Sequence, residues 1–269
     1  MRTRDNKKTH FSIDETREMN KHSLATYSID KLNTFDLSID EITQKLELEN
    51  KKSLDTFLEW EDMHKNNHQR FMEIADETGM SEWELIQQND NNLIDIRYKD
   101  EELMAFTEMK IIYAFKHLEI SIKRMSASTY FGTPTRDFFN WENLKTFFKS
   151  KSINISTLKS YREVEQLRVV NNFLKHSINI DELSSKNIPE FKDQAFIDYP
   201  ELNKFYERVK KFPNKFLEEL CMAIYNEQYE FNEHKLLDLA DSFAHRMDKK
   251  TALEFCKKLA DCYTENIDH

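Results

Sequence analysis

Two glycines, Gly79 and Gly132, and four prolines, Pro134, Pro189, Pro200 and Pro213, are the only residues of those two types in a chain of 269. Hairpin turns need residues that accept positive φ, and sheets need many such turns. So few punctuating residues restrict the chain to long helices joined by short polar links, an all-α bundle of long amphipathic helices. A content of 39% hydrophobic residues, with 20 Phe and 10 Tyr, suffices to fill a core. The net charge of -10 opposes a broad coating of nucleic acid, because phosphate affinity rests on clustered Lys and Arg, although it permits a local basic cleft.

Helical periodicity divides the chain. Residues 1–25 carry mixed charge and few apolar positions, and read as a mobile polar tail or a partner-binding arm. Segment 26–92 reads as an N-terminal helical extension. Within it, Ile39, Ile42, Leu46, Leu54, Leu58, Met63 and Phe71 recur at helical spacing in one long helix or a hairpin. Gly79 supplies a stop, and Ser81 with Glu84 forms a capping box for a short helix ending near Asp90–Asn92. From Asp100 to Met125, Leu103, Phe106, Ile112, Phe115, Leu118 and Ile122 make the stripe of a central helix. A loop follows at 126–135, and Asn140 is placed to cap the next helix. A further helix is expected from Ser156 to about Ser177, then an irregular connector to Tyr199. Pro200 opens the next helix and Pro213 kinks or restarts it. Two amphipathic helices over 232–269 close the chain, packed on the segment 93–231.

The chemistry-bearing run lies on the helix expected over 156–177. Arg168, Asn171, Asn172, Lys175 and His176 fall at offsets that share one broad helical face. Two cations, two amides and an imidazole on one wall suit a phosphodiester: the cations offset its charge and the imidazole moves a proton near neutral pH. The same residues opposite an apolar stripe are also what an ordinary surface helix presents.

The run resembles the signature of the HEPN (higher eukaryotes and prokaryotes nucleotide-binding) family, all-helical proteins with an Arg, four to six residues, then a His, often with Asn directly after Arg. Asn171 and His176 keep the Asn-x4-His spacing, whereas Val170 occupies the position before Asn and Arg168 lies two residues earlier. Glu119, Lys123 and Arg124 resemble a second family feature, Glu followed by Lys-Arg on the preceding long helix. The resemblance covers roughly 93–231, an HEPN-like core. It implies metal-independent RNA cleavage across a homodimer interface, with His176 as acid or base, Arg168 as phosphate clamp, and Asn171, Asn172 and Lys175 binding substrate. Glu119, Lys123 and Arg124 would support the site, Glu119 pairing with Lys123. No metal and no other cofactor is expected, and toxin–antitoxin or antiviral defence roles, with an antitoxin or other protein partner, are what such relatives suggest. The alternative is a non-catalytic helical adaptor that dimerises and engages a protein partner.

Other candidates are weaker. Glu61, His64 and His68 fall at offsets 0, 3 and 7, a spacing able to hold a transition metal, but Glu61-x-x-His64 is the only such unit and a solvated helix face is expected. Cys221, Cys256 and Cys262 lie within apolar helical patterns, an odd count that suits a reducing cytoplasm. No apolar run approaches the roughly 20 residues that span a bilayer, so membrane insertion is not expected.

Overall fold

The computed structural model describes residues 12–29, 34, 36–130, 136, 138, 140–176, 188–192, 194 and 196–264. These form helices without a strand, an all-α architecture as the glycine and proline count dictates. In chain order they are α1 (Ile13–Ser28), α2 (Asp36–Asn66), α3 (His68–Thr78), α4 (Glu82–Thr129), α5 (Trp141–Ser150), α6 (Tyr161–His176), α7 (Tyr199–Val209), α8 (Phe212–Tyr229), α9 (Glu233–Ala244) and α10 (Lys249–Thr264). Short 3-10 turns lie at Ile155–Thr157 and Pro189–Phe191. No helix among the described residues is long and apolar enough to cross a membrane.

Several helix ends follow from single residues. The side chain of Ser81 accepts from the Glu84 amide at 3.3 Å, and Glu84 accepts from the Ser81 amide at 2.7 Å, so the capping box starts α4. Gly79 ends α3 at φ 69°, a left-handed conformation that costs glycine nothing. Asn140 caps α5 by accepting from the amides of Glu142 and Asn143. Asp198 caps α7, with Pro200 in its first turn.

Other boundaries differ from the sequence expectations. The expected polar tail is a helix from Ile13 to Ser28, begun by reciprocal bonds between Ser12 and Glu15, and its Leu24 is fully buried; the part of that tail over residues 1–11 lies outside the described residues. The helix expected over 38–75 is two helices, broken at Asn67, whose side chain accepts from the Arg70 amide and starts α3. The break expected at Asp90–Asn92 is absent, and α4 runs unbroken for 48 residues, about 72 Å at 1.5 Å per residue. Buried Asn89 donates to the Phe57 carbonyl, and Asp95 accepts from Ser53 and Lys99, so contacts with α2 hold a polar stretch helical. The helix expected from Ser156 begins instead at Tyr161, because Asn154 caps a separate 3-10 turn and Leu158 is extended. The loop expected at 126–135 starts later, with helix through Thr129; residues 131–135 lie outside the described residues, as do residues 177–187 of the expected connector.

Two compact units interleave along the chain. One contains residues 1–30, 119–161 and 214–269, the other residues 31–118 and 162–213. In the first, Leu24, Ile122, Met125, Phe148, Ile155, Phe216, Leu217, Leu220 and Ile224 are buried. In the second, Leu103, Ile111, Leu118, Val164, Leu167, Val170, Phe191, Leu202, Phe205 and Val209 fill the core. Burial of each such side chain stabilises by roughly 1.5–3 kcal/mol. A smaller cluster of Phe71, Ala75 and Leu85, joined by Trp60, Met63, Ile74 and Ile86, ties α2, α3 and the start of α4 together.

Several buried polar groups in the second unit are paired. Lys110, 3% exposed at its side chain, bonds Asp40 and lies over the Tyr206 ring, its centroid 5.5 Å away. The Tyr206 hydroxyl donates to Asp36 at 2.8 and 2.9 Å. Burial raises the Asp36 carboxyl above the usual aspartate range, against the opposing pull of Tyr206 and Lys110. Burial beside Asp36 also pushes the Tyr206 hydroxyl far up, so it stays a donor.

Candidate functional site

Helix α6 is sheltered along most of its length. Val164, Gln166, Leu167, Val170 and Asn171 are buried, and from Glu163 to Leu174 no residue is exposed. Its polar residues are therefore not the solvated face that an ordinary amphipathic helix presents. Polar groups taken from water cost free energy unless partnered, and partners are present for most of them. The buried Gln166 carbonyl accepts from Arg208 on α7 at 3.0 Å, and the same guanidinium holds buried Glu190 through bonds of 2.7 and 2.9 Å. Burial pushes the Glu190 carboxyl up, but the Arg208 bonds and charge outweigh it and keep it below the usual glutamate range.

The five residues singled out in the sequence lie together on α6, with unequal settings. Arg168 is half-buried, and its guanidinium is held by both oxygens of Glu165 at 2.6 and 3.0 Å, which neutralises much of its charge. Asn171 is 1% exposed; its Nδ2 donates to Asn172 at 3.2 Å, and its Oδ1 is buried with no hydrogen-bond partner. Lys175 and His176 occupy the last turn and are exposed. His176 lies eight positions after Arg168, about 12 Å along the axis. Lys175 and His176 thus form the open, polar end of a helix whose Asn171 is buried and whose Arg168 is paired with Glu165.

Glu119, Lys123 and Arg124 belong to the unit that does not contain α6, apart from its first residue. The expected pairing across one turn of α4 is present, Lys123 donating to Glu119 at 2.8 Å, while Arg124 is exposed.

Three features were not legible in the sequence. The Glu190–Arg208–Gln166 network joins segments with no common motif. The Asp36, Asp40, Lys110 and Tyr206 cluster likewise depends on tertiary contacts. Glu82 approaches His64, its Oε1 lying 3.5 Å from Nε2, whereas Glu61 is engaged by Lys65. Elsewhere, Ser152, Asn154, Asn226, Glu227, Asn232 and Lys235 line much of a cleft of about 460 Å³, but the Lys235 ammonium is bound to the Asn226 and Glu227 carbonyls beside it. Of the cysteines, Cys221 is buried as expected, whereas Cys256 and Cys262 are exposed on α10.

No family model, curated protein or solved structure matches the chain.

Proposed function

We propose that the exposed end of α6 binds a phosphodiester and that this chain is a metal-independent endoribonuclease of HEPN type. One observation carries the reading: polar Arg168, Asn171 and Asn172 sit on an otherwise sheltered helix that ends in exposed Lys175 and His176. Asn171 Oδ1 is buried on this helix with no hydrogen-bond partner, which leaves an acceptor for a donor of the substrate. In the proposed reaction the ribose 2′-oxygen attacks the adjacent phosphorus and the P–O5′ bond breaks. The products are a 2′,3′-cyclic phosphate and a 5′-hydroxyl. His176 takes the 2′-hydroxyl proton or supplies one to the departing oxygen, while Lys175 offsets charge on the phosphoryl oxygens, joined by Arg168 where the phosphate displaces Glu165 from its guanidinium. Arg168 and His176 are about 12 Å apart along the helix axis, and in the HEPN reading a second copy of the chain completes the site. Cleavage of total cellular RNA in the presence of chelator tests this. Cutting that His176→Ala and Arg168→Ala both abolish, with circular dichroism unchanged, supports the assignment; cutting that survives both removes it.

A second reading rests on a different observation. In α9 and α10 no described side chain is buried, and Leu236, Leu237, Leu253, Leu259 and Tyr263 are all more than half exposed. This helical hairpin would then be the docking surface of a non-catalytic scaffold, and its occupant a second copy of the chain. Charge favours that occupant: α9 carries Glu233, Asp238 and Asp241 against Lys235, whereas α10 carries Lys249, Lys250, Lys257 and Lys258 against Glu254 and Asp261. Two copies related by a two-fold axis lay each acidic helix on a basic one. Sedimentation that reports dimers without any RNA cutting favours this reading over the first.

A further inference from the structure

We propose that His64, His68 and Glu82 form a binding site for a divalent transition-metal ion of the zinc class, clipping together the ends of three helices. His64 lies in the last turn of α2, His68 is the first residue of α3, and Glu82 is the first residue of α4. Their donor atoms all lie within 4.8 Å of one another, and His64 Nε2 is 3.5 Å from Glu82 Oε1. Zinc takes imidazole nitrogen and carboxylate oxygen at about 2.0–2.2 Å, which sets neighbouring donors of a tetrahedron roughly 3.3–3.6 Å apart. The pair His64 and Glu82 already has that spacing. The remaining contraction, about 1 Å, falls to small side-chain rotations, chiefly of Glu82, which is 45% exposed.

The framework beneath these donors is fixed. The Asn67 amide donates to the Met63 carbonyl at 3.0 Å, its side chain caps α3, and the Ser81–Glu84 box fixes the start of α4. The His64 ring packs against Phe71 with centroids 4.9 Å apart, and the His68 ring stacks on the same side chain at 6.2 Å. Phe71 is itself buried in the cluster that joins the three helices. Both imidazoles are thus held over an apolar floor, with ring nitrogens available to an ion. Two imidazoles and one carboxylate leave a fourth position for water, the composition of open zinc sites. The sequence spacing pointed to Glu61 as the carboxylate. Glu61 instead pairs with Lys65 on its own helix, and Glu82 arrives from another element.

The test uses the full chain, stripped with chelator and desalted. Titration with Co²⁺ followed by visible absorption, and with Zn²⁺ by calorimetry, should report saturable binding of one ion per chain. His64→Ala and His68→Ala should each weaken binding by more than about tenfold, the lower range for losing even an outer-shell partner. Glu82→Gln should weaken it and alter the Co²⁺ spectrum, and Glu61→Gln should leave both unchanged. Zn²⁺ should also raise the melting temperature of the wild type and not of His64→Ala. Absence of saturable binding overturns the site. So does binding that persists in both histidine variants, or that responds to Glu61→Gln and not to Glu82→Gln. The histidine and Glu82 substitutions alter partly exposed positions, and circular dichroism checks that each variant keeps its helix content.

Discussion

Replacing Glu190 by Gln tests the network that holds α6 in place. The side chain is 4% exposed and receives two bonds from Arg208, whose own side chain is 32% exposed. Breaking a fully buried ion pair costs roughly 3–5 kcal/mol, whereas an exposed pair contributes about 0–1 kcal/mol. This pair lies between those limits. Glutamine keeps one acceptor and turns the other oxygen into an amide that faces the guanidinium, removing one charge-assisted bond, so a loss of about 2 kcal/mol is expected. For a chain of this size that corresponds to a fall of about 4–8 °C in melting temperature. The sign of the pH dependence follows from the depressed Glu190 carboxyl. Its stabilisation is present above the ordinary glutamate pKa of about 4.5 and is lost as pH falls through its lower folded value. Thermal unfolding followed by circular dichroism should therefore show the Glu190→Gln penalty near neutral pH, and a smaller one below about pH 4. A penalty under about 0.5 kcal/mol at neutral pH, or one of equal size at both, would refute the reasoning.

Asn171→Leu should leave stability within about 1 kcal/mol of wild type, because it replaces a buried amide whose Oδ1 has no partner by an apolar group of similar volume; unfolding measures this, and RNA cleavage should be lost all the same. Leu237→Asp together with Leu253→Asp, at positions 62% and 63% exposed, should abolish any self-association seen by sedimentation while shifting stability by no more than about 0.5 kcal/mol. Gly79→Ala should cost about 1 kcal/mol in a denaturant titration, since φ is 69° yet no atom lies within 4 Å of the added methyl.

Local signals carried most of the fold. Gly79, the Ser81–Glu84 box, Asn140 and Pro200 each act within a few residues, and each ends or begins a helix where its chemistry predicts. Helix α1 carries the same kind of signal in Ser12 and Glu15, but its sparse apolar content reads as a tail; its tertiary contacts come from buried Leu24 and from Lys21 over the Tyr225 and Tyr229 rings. At Asp90–Asn92 propensity yielded to contacts with α2, which no local pattern reveals. The α6 face was legible as a set of residues sharing one side of a helix. Its setting was not, because Arg208 and Glu190 shelter Gln166 from 42 and 24 positions away along the chain. Likewise the spacing of His64 and His68 is visible in sequence, but the helix break between them and the approach of Glu82 are products of packing.

The most direct test of the α6 assignment is the affinity for a short single-stranded RNA, measured by fluorescence anisotropy at fixed salt for two charge-matched variants. The first is Lys175→Ala with His176→Ala, and the second, which likewise removes one lysine and one exposed histidine, is Lys257→Ala on α10 with His245→Ala at the end of α9. Binding that falls about tenfold or more in the first variant and stays at the wild-type level in the second is the predicted result. Equal losses in both variants, or RNA binding by neither wild type nor variants, would contradict a phosphodiester site at the end of α6.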